Sequence, residues 1–307
     1  MKKYIFIFTL LVNWNCRAQD TSFRKNGDTV IVKAVPYTTY TRTVKVYKPP
    51  VVPAVNLWSA GMETGDLREW YSPCTVENEN QINASCPAGD GGAEYNSGGG
   101  NSIASRDYAR TGVWSMKQTI AGIGDGTRLF RWNETKVNQE LYFSNWFYIP
   151  KRYVLGAEGW SNIWQIKSQV KIPPVKNDPF FNIGFINSPN PGAMRLSLKW
   201  WGNHVPVIEG PKAGQSGASV NWSAPIDIPI GRWFNLEVRH VCAGDFTGAI
   251  QVWQDGVEIF KQDNVRTRFP NGDCVWSLNN YGDKITPSPV VTYVDDVVIS
   301  KTRISSK

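Results

Sequence analysis

From residue 141 to residue 300 the sequence is a succession of short apolar and aromatic runs, each closed by glycine, proline, asparagine or aspartate. Residues 141–149, 162–168, 180–186, 193–201, 233–240, 249–254, 257–261, 275–281 and 292–300 form such runs. They are shorter than ordinary helices, and their polar and apolar side chains alternate with period two, so they read as strands. Asp255-Gly256 stands between two of them. That dipeptide suits a two-residue hairpin turn, whose central residues both need positive φ. Helical signals are nearly absent. Many short strands at this spacing predict an all-β chain, folded as an antiparallel β-sandwich of jelly-roll type.

The length of 307 residues permits two domains, but a sandwich of this size also occurs as one. We expect a signal peptide at 1–18, an extended arm or linker at 19–56, a single jelly-roll domain at 57–300 and a tail at 301–307. Lys2 and Lys3 precede an apolar run at 4–12 that is too short to span a bilayer, and Ala18 supplies a small residue for cleavage. These features predict a secreted or periplasmic protein, with a lipid anchor on Cys16 as the less favoured alternative. No later segment reads as a membrane span. Residues 37–55 are rich in threonine, valine and proline, hence extended. The glycine-rich stretch 89–100 lacks the lysine and hydroxyl ending of a phosphate loop and reads as a flexible loop.

The formal charge of +7 is diffuse. It gives no sign of a nucleic-acid binder and favours an anionic partner. Beyond the signal, Cys74, Cys86, Cys242 and Cys274 remain, an even number in an exported chain, which predicts disulfides. The local pairing Cys74–Cys86 and Cys242–Cys274 is preferred among the three possible. With no CxxC and only His204 and His240, a zinc site is not expected.

Period-two alternation sorts the strands into faces. Gln165 shares a face with Lys167, and Arg195 with Ser197 and Lys199. Asn235 aligns with Glu237 and Arg239, Gln251 with Trp253, and Ser277 with Asn279 and Tyr281. Amide, cationic and aromatic groups together suit sugars: rings cover the apolar faces of pyranoses, and amides and guanidinium groups bond hydroxyls and carboxylates. Arg128 and Arg131 suit bidentate capture of a uronate carboxylate, with a structural Arg–Glu pair to Glu134 beneath the sheet as the alternative.

The segments 61–70 (GMETGDLREW), 141–150 (LYFSNWFYIP), 162–168 (NIWQIKS), 231–238 (GRWFNLEV), 250–256 (IQVWQDG) and 276–300, with its NNYGD and YVDDV, occur in that order. Together they resemble the bacterial polysaccharide lyases with a concanavalin-like jelly roll, a group that includes heparin lyase I and glucuronan lyase. The resemblance implies β-elimination on a uronic-acid polysaccharide and no cofactor for the chemistry. One group neutralises the carboxylate, a base takes the C5 proton and an acid protonates the leaving oxygen. Gln165 matches the glutamine of a Gln-Ile-His strand motif and would neutralise the carboxylate. Lys167 stands where that motif carries histidine. As a base at neutral pH it needs burial or cationic neighbours to lower its pKa. Tyr281, in NNYGD, is the candidate acid, and His204 an alternative base. Arg128, Arg131, Lys199, Glu237, Arg239, Trp253 and Asn279 are candidate substrate contacts. His240 alternates with apolar residues and reads as structural.

Glu63, Asp66 and Asp296 lie near the first and last strands, which are often neighbours in such sandwiches; carboxylates brought together there could bind a structural Ca2+, with solvent-exposed turn and edge carboxylates as the alternative. The expected partner is an anionic polysaccharide and the expected state a monomer. A non-catalytic, lectin-like jelly roll is the alternative function. A glycoside hydrolase is disfavoured, because no pair of carboxylates with suitable spacing occurs on one strand.

Overall fold

Two antiparallel sheets are stacked so that the alternate side chains of each meet in one core. The computed structural model describes residues 6–9, 21–25, 28–32, 43–46, 56–71, 91–135, 139–170, 176–200 and 220–304. Two compact units divide at Pro53 and Ala54. In the first, β1 (Phe6–Thr9) pairs with β4 (Thr43–Val46), and β2 (Thr21–Lys25) with β3 (Asp28–Val32).

The second unit holds the sandwich. Its strands are β5 (Asn56–Ala60), β6 (Gly92–Ser97), β7 (Asn101–Ser105), β8 (Ser115–Ile120), β9 (Gly126–Arg131), β10 (Glu140–Tyr148), β11 (Val154–Val170), β12 (Lys176–Asn187), β13 (Met194–Trp200), β14 (Val220–Ile228), β15 (Trp233–Val241), β16 (Gly248–Gln254), β17 (Val257–Val265), β18 (Asp273–Thr286) and β19 (Val290–Ser300). One sheet runs β14-β13-β12-β11-β18-β9-β6. The other runs β17-β16-β15-β10-β19-β8-β7, with β5 added to β19. Among the described residues there is no helix. Every strand expected from the sequence is present. The glycine-rich stretch is corrected in part: Gly92–Ser97 is the edge strand β6, paired with β9, and not a loop.

The core is aromatic. Phe143, Phe147 and Phe234 from one sheet meet Trp164, Phe181, Phe185 and Trp276 from the other, all fully buried. Phe143 lies 5.0 Å from Trp276 and 5.8 Å from Trp164, and Trp70 stacks on Trp276 at 5.7 Å. Each such side chain contributes about 1.5–3 kcal/mol by leaving water. A disulfide joins Cys242, just after β15, to Cys274 on β18, with Cα atoms 6.3 Å apart. It ties one sheet to the other. Cys74 and Cys86 lie outside the described residues. The Asp255-Gly256 turn closes the β16–β17 hairpin, with φ of 49° and 80°.

Candidate active site

The outer face of the β14-to-β6 sheet carries a groove of about 840 Å³. Register places Ser277, Gln165, Asn182, Lys199 and Asn221 side by side on β18, β11, β12, β13 and β14. Of these, Gln165, Asn182, Lys199 and Asn221 line the groove, with Arg128, Trp160, Asn162, Lys167, Trp222 and Tyr281. The glycine at 184 lets the Ser161 backbone approach closely, since a Cβ there would sit 2.0 Å from the Ser161 carbonyl oxygen.

Two irregularities in β11 bracket Gln165. One lies between Asn162 and Trp164 against β18, the other between Ile166 and Lys167 against β12. Bulges re-aim side chains. The second pairs Lys167 with Pro179, and proline is tolerated inside a sheet at such a break because it has no N–H to give the ladder. Lys167 is 4% exposed, with its ammonium 6.0 Å from the Phe130 ring. Burial pushes that ammonium down to about 7, and the carboxylate of Asp178 opposes the shift. The condition set by the sequence, that a lysine base needs burial to lower its pKa, is met by this position.

On the other side of Gln165 stands Tyr281, opposite Asn162. The Arg128 guanidinium lies 4.0 Å from the Tyr281 ring and 4.8 Å from that of Tyr95. Burial pushes the Arg128 pKa down, and the two tyrosines oppose this. Trp160 meets the Tyr281 ring edge-on at 4.6 Å. The ring lies against β9 at Gly126, where a Cβ would come within 2.5 Å of it. Asn279 is buried below the floor and donates a hydrogen bond to Asn162 Oδ1 at 2.9 Å. Gln165, Lys167, Tyr281, Arg128 and Lys199, all named from sequence, thus share one groove. Asn162, Asn182, Asn221, Trp160 and Trp222 were not foreseen. Asn182 had a sequence signal, as a polar side chain inside the apolar run FFNIGF.

Other expected site residues lie elsewhere. Arg131 is on the core side of β9, where it donates to Glu134 at 2.5 Å and lies 4.6 Å from the Trp58 ring. Glu237, Arg239 and Trp253 belong to the opposite sheet. Arg239 pairs with Glu140 at 2.8 Å. Glu237 accepts from Arg303 Nε at 3.1 Å and from the Ile304 N–H at 2.6 Å, and burial raises its pKa. Arg303 also covers Trp253, 4.1 Å from its ring. His240 is buried in the core beside Phe181, which pushes its pKa down to about 3. His204 lies outside the described residues.

The first and last strands of the sandwich are neighbours, with Ala60 opposite Val297. Glu63 accepts the Val113 and Trp114 N–H groups at 3.1 and 3.0 Å. Asp296 binds Arg110 at 2.6 Å, and Asp66 binds Arg68 at 2.5 Å. These carboxylates meet backbone donors and arginines. Among the described residues no group of three His, Cys, Asp or Glu side chains is placed to hold a metal ion.

A buried lysine of lowered pKa, a tyrosine against an arginine, and a glutamine between them line one cationic groove. The polysaccharide lyase family model matches residues 90–282, which include all of these groups. The chain belongs to the polysaccharide lyase family. No curated protein matches the lyase by sequence. An endo-β-1,4-glucuronan lyase from the fungus Trichoderma reesei is 14% identical, with a TM-score of 0.52 over 67% of this chain and 88% of that one, and shares the fold. A mutant of alginate lyase Aly36B with an alginate trisaccharide gives 12%, 0.49, 81% and 99%. Alginate lyase vAL-1 from Chlorella virus gives 10%, 0.44, 65% and 89%.

Proposed function

We propose that the lyase cleaves a uronic-acid-containing polysaccharide by β-elimination in this groove. The observation that carries the proposal is Lys167, a groove lysine whose pKa burial lowers to about 7, two residues from Gln165. Near neutral pH a good fraction of it is the free amine, which a base must be. Gln165 donates its amide to the uronate carboxylate and so acidifies the C5 proton. The Lys167 amine takes that proton. The electron pair forms the C4–C5 double bond as the bond from C4 to the glycosidic oxygen breaks, and that oxygen takes the Tyr281 phenolic proton. Water is not consumed. Arg128 holds the Tyr281 ring and adds positive charge where negative charge accumulates.

The test is ultraviolet absorbance of unsaturated uronate products with glucuronan, alginate, heparin, chondroitin and ulvan. Absorbance should rise on at least one polymer. Binding of these glycans without any rise would replace the lyase reading by the lectin-like one. Residues 1–18 are proposed as an export signal, in keeping with the Cys242–Cys274 disulfide. Protein recovered from the producing cells should begin at Gln19; recovery with Met1 intact would reject the signal.

A further inference from the structure

Asn162 and Gln165 are three residues apart on β11, so strict alternation would turn them to opposite faces. The break between Asn162 and Trp164 against β18 prevents this. Ile163 and Trp164 both join the core, where they are fully buried, and Asn162 and Gln165 both line the groove. Asn279, fully buried beneath them, donates its Nδ2 to Asn162 Oδ1 at 2.9 Å. An asparagine amide has one accepting end and one donating end. With the oxygen of Asn162 taken up below, the end that remains for the groove is its N–H. Asn162 is itself 2% exposed, and its Nδ2 has no protein partner among the described residues. A donor so placed is held ready for an acceptor oxygen in the groove.

We infer that Asn162 donates to the same uronate carboxylate as Gln165, and that Asn279 is the positioning residue that keeps the Asn162 N–H, rather than its oxygen, toward the substrate. The inference rests on the lyase reading and adds two residues to its machinery. Three strand residues span at most about 10 Å, a distance that a glutamine from one end and an asparagine from the other close around one carboxylate. Asn162 also stands opposite Tyr281, on the side where the leaving oxygen takes its proton. As the C5 proton departs, its electron pair adds charge to the carboxylate, so a donor there counts for more in the transition state than in the bound substrate. Its removal should therefore fall on kcat. A turned amide would be worse than none, because its oxygen would face the carboxylate.

The experiment measures kcat and KM of Asn162→Ala, Asn162→Asp, Asn279→Ala and the double alanine variant on whichever of glucuronan, alginate, heparin, chondroitin and ulvan the wild type cleaves, with thermal melts to verify folding. Asn162→Ala should lower kcat about 10- to 100-fold with KM within about threefold. Asn162→Asp keeps the bond from Asn279 and exchanges only the N–H for oxygen, so it should lose more. Asn279→Ala should lower kcat about tenfold alone and add nothing in the Asn162→Ala background, because it acts only through Asn162. Asn279→Leu, closer in volume, takes its place if Asn279→Ala does not fold. Wild-type kcat in a folded Asn162→Ala enzyme overturns the inference, and so does an Asn162→Asp enzyme more active than Asn162→Ala. Losses that multiply in the double variant overturn the positioning role of Asn279. Failure of the wild type on all these polymers overturns the lyase reading on which the inference rests.

Discussion

The two outer faces of the sandwich both carry charged, polar and aromatic side chains, and these meet opposite fates. On the β14-to-β6 sheet, Gln165, Lys167, Lys199, Arg128 and Tyr281 open onto a groove of about 840 Å³. On the other sheet, Glu237, Arg239 and Trp253 supply a carboxylate, a guanidinium and a ring, and this set closes on itself. Arg239 takes Glu140, and the chain end at Arg303 and Ile304 lies across Glu237 and Trp253. Beside them Arg110 covers the Trp146 ring at 3.6 Å while Asp296 holds its guanidinium. A sugar needs an open groove in front of donors and ring faces. Residue types alone do not separate the two cases; the space in front of them does.

The contrast is broken most directly by substitution on both faces. Tyr281→Phe and Lys167→Met should each lower kcat/KM by about 100- to 1,000-fold, whereas Arg239→Ala and Trp253→Phe should leave it within about twofold. Steady-state kinetics decide, and a large loss on the opposite face would move the site. The same groove lysine sets a pH dependence. kcat/KM should rise through a midpoint near 7 as Lys167 loses its proton. A profile flat across that range would remove Lys167 as the base.

Next in size, replacing both Cys242 and Cys274 by serine should cost about 2–4 kcal/mol of stability, since they close a loop with a sequence separation of 32. Denaturant titration reads this, and the pH midpoint of activity should not move. Opposite in sign is the effect of Lys167 on stability. Its folded pKa is about 7 against an ordinary 10.5, so between these values the unfolded chain binds more protons and stability rises with pH. The penalty is full below about 7 and is relieved as pH climbs toward 10.5. Lys167→Met should therefore melt higher than the wild type at neutral pH while losing activity. A lower melting temperature would mean that the lysine is held by compensating contacts.

Period-two alternation was enough to place Gln165 with Lys167, and Ser277 with Asn279 and Tyr281, because one strand fixes its own faces. It could not say which strands lie side by side. The row of Gln165, Asn182, Lys199 and Asn221 exists only through cross-strand register, and register is set by the packed sheet. For the same reason Glu237 and Lys199, equally plausible in sequence, lie on different sheets. Arg131 was legible only as a pair of alternatives. It directly follows Phe130, and that single step turns it to the core side, where Glu134 and the Trp58 ring receive it. The lowered pKa of Lys167 was legible as a requirement. Burial and the bulge at Pro179 supply it, and neither is written in the local sequence.

If the groove breaks a glycosidic bond by elimination, mass spectrometry of the oligosaccharides from the cleaved polymer records it in their masses. Each cut should yield a new end that carries an unsaturated uronate, with no water gained, and Lys167→Met should abolish these products. Fragments that have each gained one water would mean hydrolysis in place of elimination, and an unsaturated product undiminished in Lys167→Met would mean another base.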